Sequence, residues 1–239
     1  MLATVPLILL STIHERAYTN KLRSEATSRL EEAATAMRRN IDDYLDYQQR
    51  AVAELAGHLS RTPLTQEIVS PILKHELSTY DGFFSLVTVA PSGNVISWEP
   101  AGPGPRDLRD RDYIQTPLIT GKPFVSDARG GRRGASTAMP LVVISAPILD
   151  EAGRVMAVLA ASLNLDKFRA FGRDYASIRQ VNITILDRQD RVVYSNSGSY
   201  SFMEKLESLV KHGGQSQGRF FYYRATPAAP PSTACPAAP

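Results

Sequence analysis

Only one cysteine, Cys235, occurs in 239 residues. No internal disulfide can form, so a disulfide-stapled scaffold is excluded, while oxidising and reducing compartments both stay open. An excess of one charge is also missing. Lys and Arg number 27 against 24 Asp and Glu, a formal +3. That is too mild to argue for nucleic acid as a partner, and no basic stripe is interleaved with aromatics. No apolar run reaches the ~18–20 residues of a complete membrane span. The four histidines, His14, His58, His75 and His212, have no zinc-site spacing, and there is no HExxH or CxxC. Neither metal nor cofactor is therefore expected. Gly102-Pro103-Gly104 has no strand–turn–helix context and is no dinucleotide fingerprint. Signals for an enzyme are nearly absent, and catalysis is not expected of this chain.

Hydrophobic residues make up 43% and charged residues 21%, the range of an ordinary folded protein of one large or two small domains. Residues 1–13, MLATVPLILLSTI, carry no charged side chain. They would rise only about 20 Å as a helix, against ~30 Å of hydrocarbon. They also lack the basic start of a signal peptide. This segment reads as the last part of a transmembrane helix that begins further upstream, or else as a buried N-terminal turn.

Residues 14–60 contain no Pro and one Gly, Gly57. Met37, Ile41, Tyr44, Leu45, Val52, Leu55 and Leu59 recur at steps of mostly three and four, giving one apolar stripe on a long helix. Such a helix of about 45 residues would be about 65–70 Å long, more than one small core needs. Its first half is expected to stand as a stalk or pair with a second copy, making a homodimer.

Short strands follow. Phe84–Val89, the turn Pro91-Ser92-Gly93-Asn94, and Val95–Trp98 read as a hairpin. Lys122–Ser126, Leu141–Pro147 and Arg154–Leu163 read as further strands. Gly130–Gly134 reads as a loop, and Asp166–Tyr175 as a short helix. The hairpin then recurs. Ser85–Ser97 aligns without gaps on Asn182–Tyr194, an offset of 97 residues, with apolar matches at Leu86/Ile183, Val89/Leu186, Val95/Val192 and Ile96/Val193. This pattern predicts two related modules in tandem. Ser201-Phe-Met-Glu204 has the form of a capping box and predicts a helix to about His212. Phe220–Tyr223 reads as a last strand. Eleven of the fifteen residues from Ala225 to Pro239 are Ala or Pro. Residues 224–239 are therefore expected to be a disordered or extended tail, either a truncated or frame-shifted end or a genuine linker.

One constellation carries chemistry. Arg109-Asp110-Arg111-Asp112-Tyr113 follows the Gly/Pro loop. An Arg fork holds a carboxylate through two parallel hydrogen bonds, and an aromatic neighbour walls it. Trp98, the only Trp, closes the hairpin just upstream. Ser126, Asp127 and Ser145 sit on strands that can face the same space. The plainer reading of Arg-Asp-Arg-Asp is a charged surface turn with ion pairs of little weight.

The stretches Asp110-Arg-Asp-Tyr-Ile-Gln-Thr-Pro-Leu-Ile-Thr-Gly-Lys-Pro-Phe-Val-Ser-Asp127 and Pro140–Leu165 resemble the double Cache family. The shared order is an Arg-x-aromatic step, a Gly, a strand ending in Ser, a strand with Ser-x-Pro, a turn with Gly, and a Val-rich strand. The resemblance covers roughly residues 14–223. It implies a mixed α/β protein with a long N-terminal helix and antiparallel PAS-like modules in tandem. The membrane-distal module would span 61–170, and a truncated proximal one 177–223.

It also implies an extracytoplasmic, inner-membrane-anchored sensor of a bacterial receptor, of histidine kinase, diguanylate cyclase or chemoreceptor type. Arg111 and Tyr113 match the residues that grip a ligand carboxylate, with Ser126 and Asp127 on the strand lining that pocket. Ser162 falls where amino-acid-binding members carry an Asp for the ligand's ammonium group. Ile114 stands where a second aromatic would follow Tyr113, and both departures lead us to expect an organic acid rather than an amino acid as the ligand. The alternatives are a ligand-free dimerisation ectodomain, or a hydrolase using Asp110, Asp112 or Asp127.

Overall fold

The computed structural model describes residues 4–80, 82–102, 104, 106–130, 140–163, 168, 170, 173, 181–198, 200–206 and 214–227. One helix, α1 (Thr4–Leu59), runs 56 residues, about 84 Å end to end. From Leu30 onward it buries Ala33, Ala34, Met37, Ile41, Leu45, Val52, Leu55 and Leu59. This is the stripe expected from the three- and four-residue spacing. Residues 16–29 are exposed throughout, so the first part of the helix projects beyond the body. Among the described residues no helix is long and apolar enough to cross a membrane.

A second helix, α2 (Gln66–Thr79), follows, with Val69 and Leu73 buried and Pro71 inside it. Then come β1 (Phe83–Val89), β2 (Val95–Glu99), α3 (Asp112–Thr120), β3 (Phe124–Val125), β4 (Arg129–Gly130), β5 (Pro140–Leu141), β6 (Val143–Leu149) and β7 (Val155–Leu163). The second half contains β8 (Val181–Leu186), β9 (Val192–Ser195), β10 (Gly214–Gln217) and β11 (Tyr222–Pro227).

Two antiparallel sheets result, one in the order β2-β1-β7-β6-β3, the other β10-β11-β8-β9, with β4-β5 a separate small pair. The architecture is the mixed α/β one expected, a long helix followed by PAS-like sheets in tandem. One apolar cluster joins α1 to a face of each sheet, from Leu30 through Leu86, Ile144 and Leu159 to Ile183, Tyr223 and Ala225. The long helix is thus a spine shared by both sheets. Each fully buried Leu or Ile along it contributes about 1.5–3 kcal/mol of transfer free energy.

The repeat read from sequence is a repeat of geometry. Val89 pairs with Val95 after an irregularity at Thr88/Val89. Leu186 pairs with Val192 after one at Ile185/Leu186. Each position is offset by 97. The turns match as well. Gly93 donates its N–H to the Ala90 carbonyl, as Asp190 does to Asp187. Gly93 has φ 91° and Asp190 φ 58°. Asp is one of the few non-Gly residues that adopt this left-handed conformation readily. At Gly93 a Cβ would also come within 2.4 Å of the Arg109 Cβ, so glycine is required there twice over.

Three expectations need correction or lie out of reach. Ser201–Glu204 does not open a helix over the described residues. Glu204 reaches back to the Ser201 N–H at 2.7 Å, half of the capping box. The chain then turns at Met203, whose φ is 65°, and Lys205 bridges to Arg191. The extended tail does not begin at 224. Strand β11 pairs with β8 out to Pro227 and Val181, because Arg224 and Ala225 are buried and the ladder with β8 outweighs composition. Of the helix expected over 166–175, Phe168, Ala170 and Arg173 are helical, and Phe168 packs edge-on against Tyr44. The rest of it, the glycines of the 130–134 loop after Gly130, and residues 1–3, 207–213 and 228–239 lie outside the described residues.

Candidate functional site

Strand alternation gives the first sheet two unlike faces. Leu86, Ile144, Leu159 and Ala161 face α1. The opposite face carries one continuous row set by pairing: Trp98 beside Val87, Val87 beside Ala160, Ala160 beside Ser145, and Ser145 beside Phe124. A second row runs Ser85, Ser162, Val143. The floor is therefore small and hydroxyl-bearing at its centre and aromatic at both edges. Helix α3 covers it with Tyr113, Ile114 and Leu118, and Leu108 packs alongside.

The segment before α3 supplies charge. Arg111 is the N-cap of α3, with extended backbone. Its side chain is 14% exposed, and its nearest ion-pair contact is a long one, 4.0 Å to Asp110 Oδ1. The buried Arg111 Nε has no hydrogen-bond partner among the described residues. Tyr113 is buried, and burial pushes its phenol pKa up, with Arg111 and then Arg129 pulling it back less strongly. The hydroxyl is therefore a neutral donor at physiological pH.

Arg129 places its guanidinium 5.2 Å from the Tyr113 ring centroid and donates to both oxygens of Asp112 at 2.6 Å. Asp112 in turn accepts the Tyr113 N–H at 2.7 Å. The sequence reading missed Arg129. Its partner is seventeen residues away, and no spacing rule links them. Asp112 is held by Arg129 and by the Tyr113 N–H.

The other sequence-predicted residues divide. Ser145 is fully buried and its Oγ has no hydrogen-bond partner among the described residues. Ser162 lies on the same face through its pairing with Ser85 and Val143. Trp98 packs in the apolar cluster of that face. Ser126 has a structural task instead. Its hydroxyl donates to the Asp127 carbonyl at 2.8 Å and accepts the Val143 N–H at 3.0 Å, tying the end of β3 to β6. Asp127 is half-buried beside it. Phe124 and Ala160 were not singled out from sequence, yet strand alternation places both in the row.

Beside this face lies a cleft of about 760 Å³ at the free edge of β2, lined by Gln66, Ile96, Ser97, Trp98, Gly102 and Arg106. Trp98 belongs to both. A Cβ at Gly104 would sit 3.1 Å from the Trp98 ring, so the loop lies close against it.

Two nucleophile patterns also occur in the sequence. Gly214-Gln-Ser-Gln-Gly218 has the form Gly-x-Ser-x-Gly, but it lies along strand β10 in an antiparallel pair with β11. It does not form the strand-to-helix elbow that exposes a nucleophilic serine. Ser208-Leu-Val-Lys211 lies outside the described residues.

Comparison with known proteins returns one family. The model of the Cache domain matches residues 18–228. No curated protein matches the chain. Among solved structures, the ligand-binding domain of the Pseudomonas fluorescens chemoreceptor CtaA, in complex with L-valine, is 13% identical. Its TM-score is 0.68, and the match covers 87% of this chain and 99% of that one.

The ligand-binding domain of the Pseudomonas aeruginosa chemoreceptor PctC, in complex with GABA, is 16% identical. Its TM-score is 0.65, with 83% and 97% covered. An extracellular ligand-binding receptor from Desulfohalobium retbaense is 18% identical with a TM-score of 0.66. There the match covers 82% of this chain but 39% of the receptor. At these identities the likeness establishes the fold. The ligands in the two Pseudomonas complexes are amino acids. They overturn the expectation of an organic acid in preference to an amino acid. That expectation rested on Ser162 in place of an Asp and Ile114 in place of a second aromatic, and neither an ammonium partner nor an aromatic wall is tied to one position.

Proposed function

The chain belongs to the Cache domain family, and on that premise we propose that it is the extracytoplasmic sensor region of a membrane signalling receptor, binding a small amino acid. The reading is non-catalytic. The observation that carries it is the Arg111 guanidinium, nearly buried beside Tyr113 with an unpartnered Nε, next to a sheet face whose central Ser145 hydroxyl is equally unpartnered. A buried cation with unmet hydrogen bonds is costly unless a counter-charge arrives. A ligand carboxylate supplies that charge and the geometry of a fork. Trp98, Tyr113 and Phe124 would wall the ligand, and Ser145 and Ser162 would meet its polar atoms. Asp127, half-buried just after β3, would be the carboxylate to meet an ammonium group.

The module built on the first sheet would be the membrane-distal one and that built on the second the proximal one, with the N-terminal end of α1 leading to the membrane. Ligand held between α3 and the sheet would bias how that sheet sits on α1, and the helix would carry the bias out. The ligand shifts the signalling equilibrium only by its differential affinity for the two states.

The test is calorimetric titration of the full chain with L-valine, L-serine, L-arginine and GABA, with Arg111→Ala and Arg111→Lys alongside. Saturable binding of at least one of them that Arg111→Ala loses and Arg111→Lys weakens is the expected result. Binding unchanged in Arg111→Ala, or no binding by a folded wild-type chain, overturns the proposal.

A further inference from the structure

The second sheet repeats the first, and its far face repeats the candidate site. With the 97-residue offset, Val87 becomes Thr184, and the row Trp98–Val87–Ala160–Ser145 becomes Ser195–Thr184–Arg224–Gln215 by strand pairing. The face is fixed by alternation. Phe221, Tyr223 and Ala225 belong to the cluster around α1, so Arg224 points the other way. It occupies the position of Ala160, the centre of the floor.

Although it lies on the far face, Arg224 is only 4% exposed. Its Nε and Nη1 are both buried with no hydrogen-bond partner among the described residues. Thr184 beside it is 3% exposed, and its hydroxyl pairs with that of Ser195 at 3.0 Å. Two hydroxyls that bond each other leave one proton free to turn outward to an acceptor. A permanently charged guanidinium with two unmet N–H groups does not titrate away. An oxyanion that binds would satisfy it.

We propose that this far face of the second sheet is a separate binding site for a small oxyanion, a carboxylate or a phosphate group, held by the Arg224 fork with the Thr184–Ser195 hydroxyls beside it. The site does not depend on Arg111. The Nε–H and Nη1–H groups of one guanidinium diverge, and each forms a two-oxygen fork only together with the adjacent Nη2–H, so a small oxyanion binds along one of those two edges. The first sheet, with Ala160 at this position, has no such cation in its floor and draws its charge from Arg111 at the rim. The two sheets therefore divide the same scaffold between two binding modes.

The experiment is thermal unfolding and calorimetric titration of the full chain carrying Arg111→Ala, which removes the other candidate anion site. Sodium acetate and sodium phosphate are added against sodium chloride at matched ionic strength. The second variant adds Arg224→Met, which keeps the volume of the side chain and removes its charge and donors. The result expected is saturable stabilisation by acetate or by phosphate beyond the chloride control, abolished by Arg224→Met. Acetate alone acting assigns a carboxylate, and phosphate alone a phosphate group. Two results overturn the proposal: neither anion acts beyond chloride, or the stabilisation survives Arg224→Met. If Arg224→Met does not fold, Arg224→Lys replaces it, and a saturation midpoint unchanged in that variant overturns the proposal equally.

Discussion

The carboxylate of Asp42 is a buried polar link between the long helix and the second sheet, and its removal makes a quantitative test of the spine. Asp42 is 8% exposed. It accepts the Arg219 backbone N–H at 3.2 Å, the Tyr223 hydroxyl at 3.3 Å and Arg38 Nη1 at 3.4 Å. Asp42→Ala leaves the Tyr223 hydroxyl, on a side chain 1% exposed, without its acceptor. A buried unsatisfied donor costs about 1–3 kcal/mol. Relief of the carboxylate's own desolvation offsets part of this, because burial already raises the Asp42 pKa.

The net expectation is a loss of about 1–2 kcal/mol. Tyr223→Phe deletes the donor and leaves Asp42 its other two bonds, so it costs about 0.5–1.5 kcal/mol. Once either partner is gone the bond cannot be lost again. The double variant should therefore be more stable than the sum of the single losses implies, by about 1 kcal/mol. Equilibrium urea unfolding of the wild type and the three variants reads this directly. A double variant additive to within ~0.3–0.5 kcal/mol refutes the link.

Two further outcomes follow from the same contact. The folded state holds the Asp42 proton above the ordinary 3.8, chiefly through burial. As pH rises from about 4 through that raised value, the folded protein binds more protons than the unfolded one, and this contribution to stability falls. The stability difference between wild type and Asp42→Asn should decline with rising pH across the acid range, measured by urea unfolding at stepped pH; a rise would contradict it. At Gly218, an added Cβ would meet the Tyr223 ring at 2.5 Å and the Asp42 carboxylate at 2.9 Å. Gly218→Ala should therefore lower stability by about 1–3 kcal/mol through overpacking, and unchanged unfolding would mean that this contact yields freely.

What was legible in the sequence was what is local and periodic. The stripe from Met37 to Leu59 reports a helix face because every third or fourth position is apolar. The two hairpins report themselves through alternation and a turn that needs a left-handed residue, Gly93 in one and Asp190 in the other. The gapless alignment between them shows at the level of register.

Hidden features depend on contacts between distant segments or on tertiary support. Helix α3 carries Pro117 and α2 carries Pro71, each a breaker by propensity, and both form because they are short covers over an apolar sheet. The bond of Arg129 to Asp112 closes across a strand and a loop. Arg224 reads as the first residue of an Ala/Pro tail, because the composition after it hides the pairing with Thr184 and Ile183 that holds Arg224 and Ala225 inside. Ser201–Glu204 kept the side-chain bond of a capping box and lost the helix to a turn at Met203.

The central claim is that the first sheet's far face takes an amino acid by its carboxylate. A crystal structure of the full chain grown with whichever of L-valine, L-serine, L-arginine or GABA binds most tightly tests it most directly. The account predicts the ligand carboxylate within hydrogen-bond distance of the Arg111 guanidinium, over Ala160 and Ser145 and between Trp98 and Tyr113. A ligand found instead in the cleft at the β2 edge, with Arg111 still facing Asp110, would contradict it.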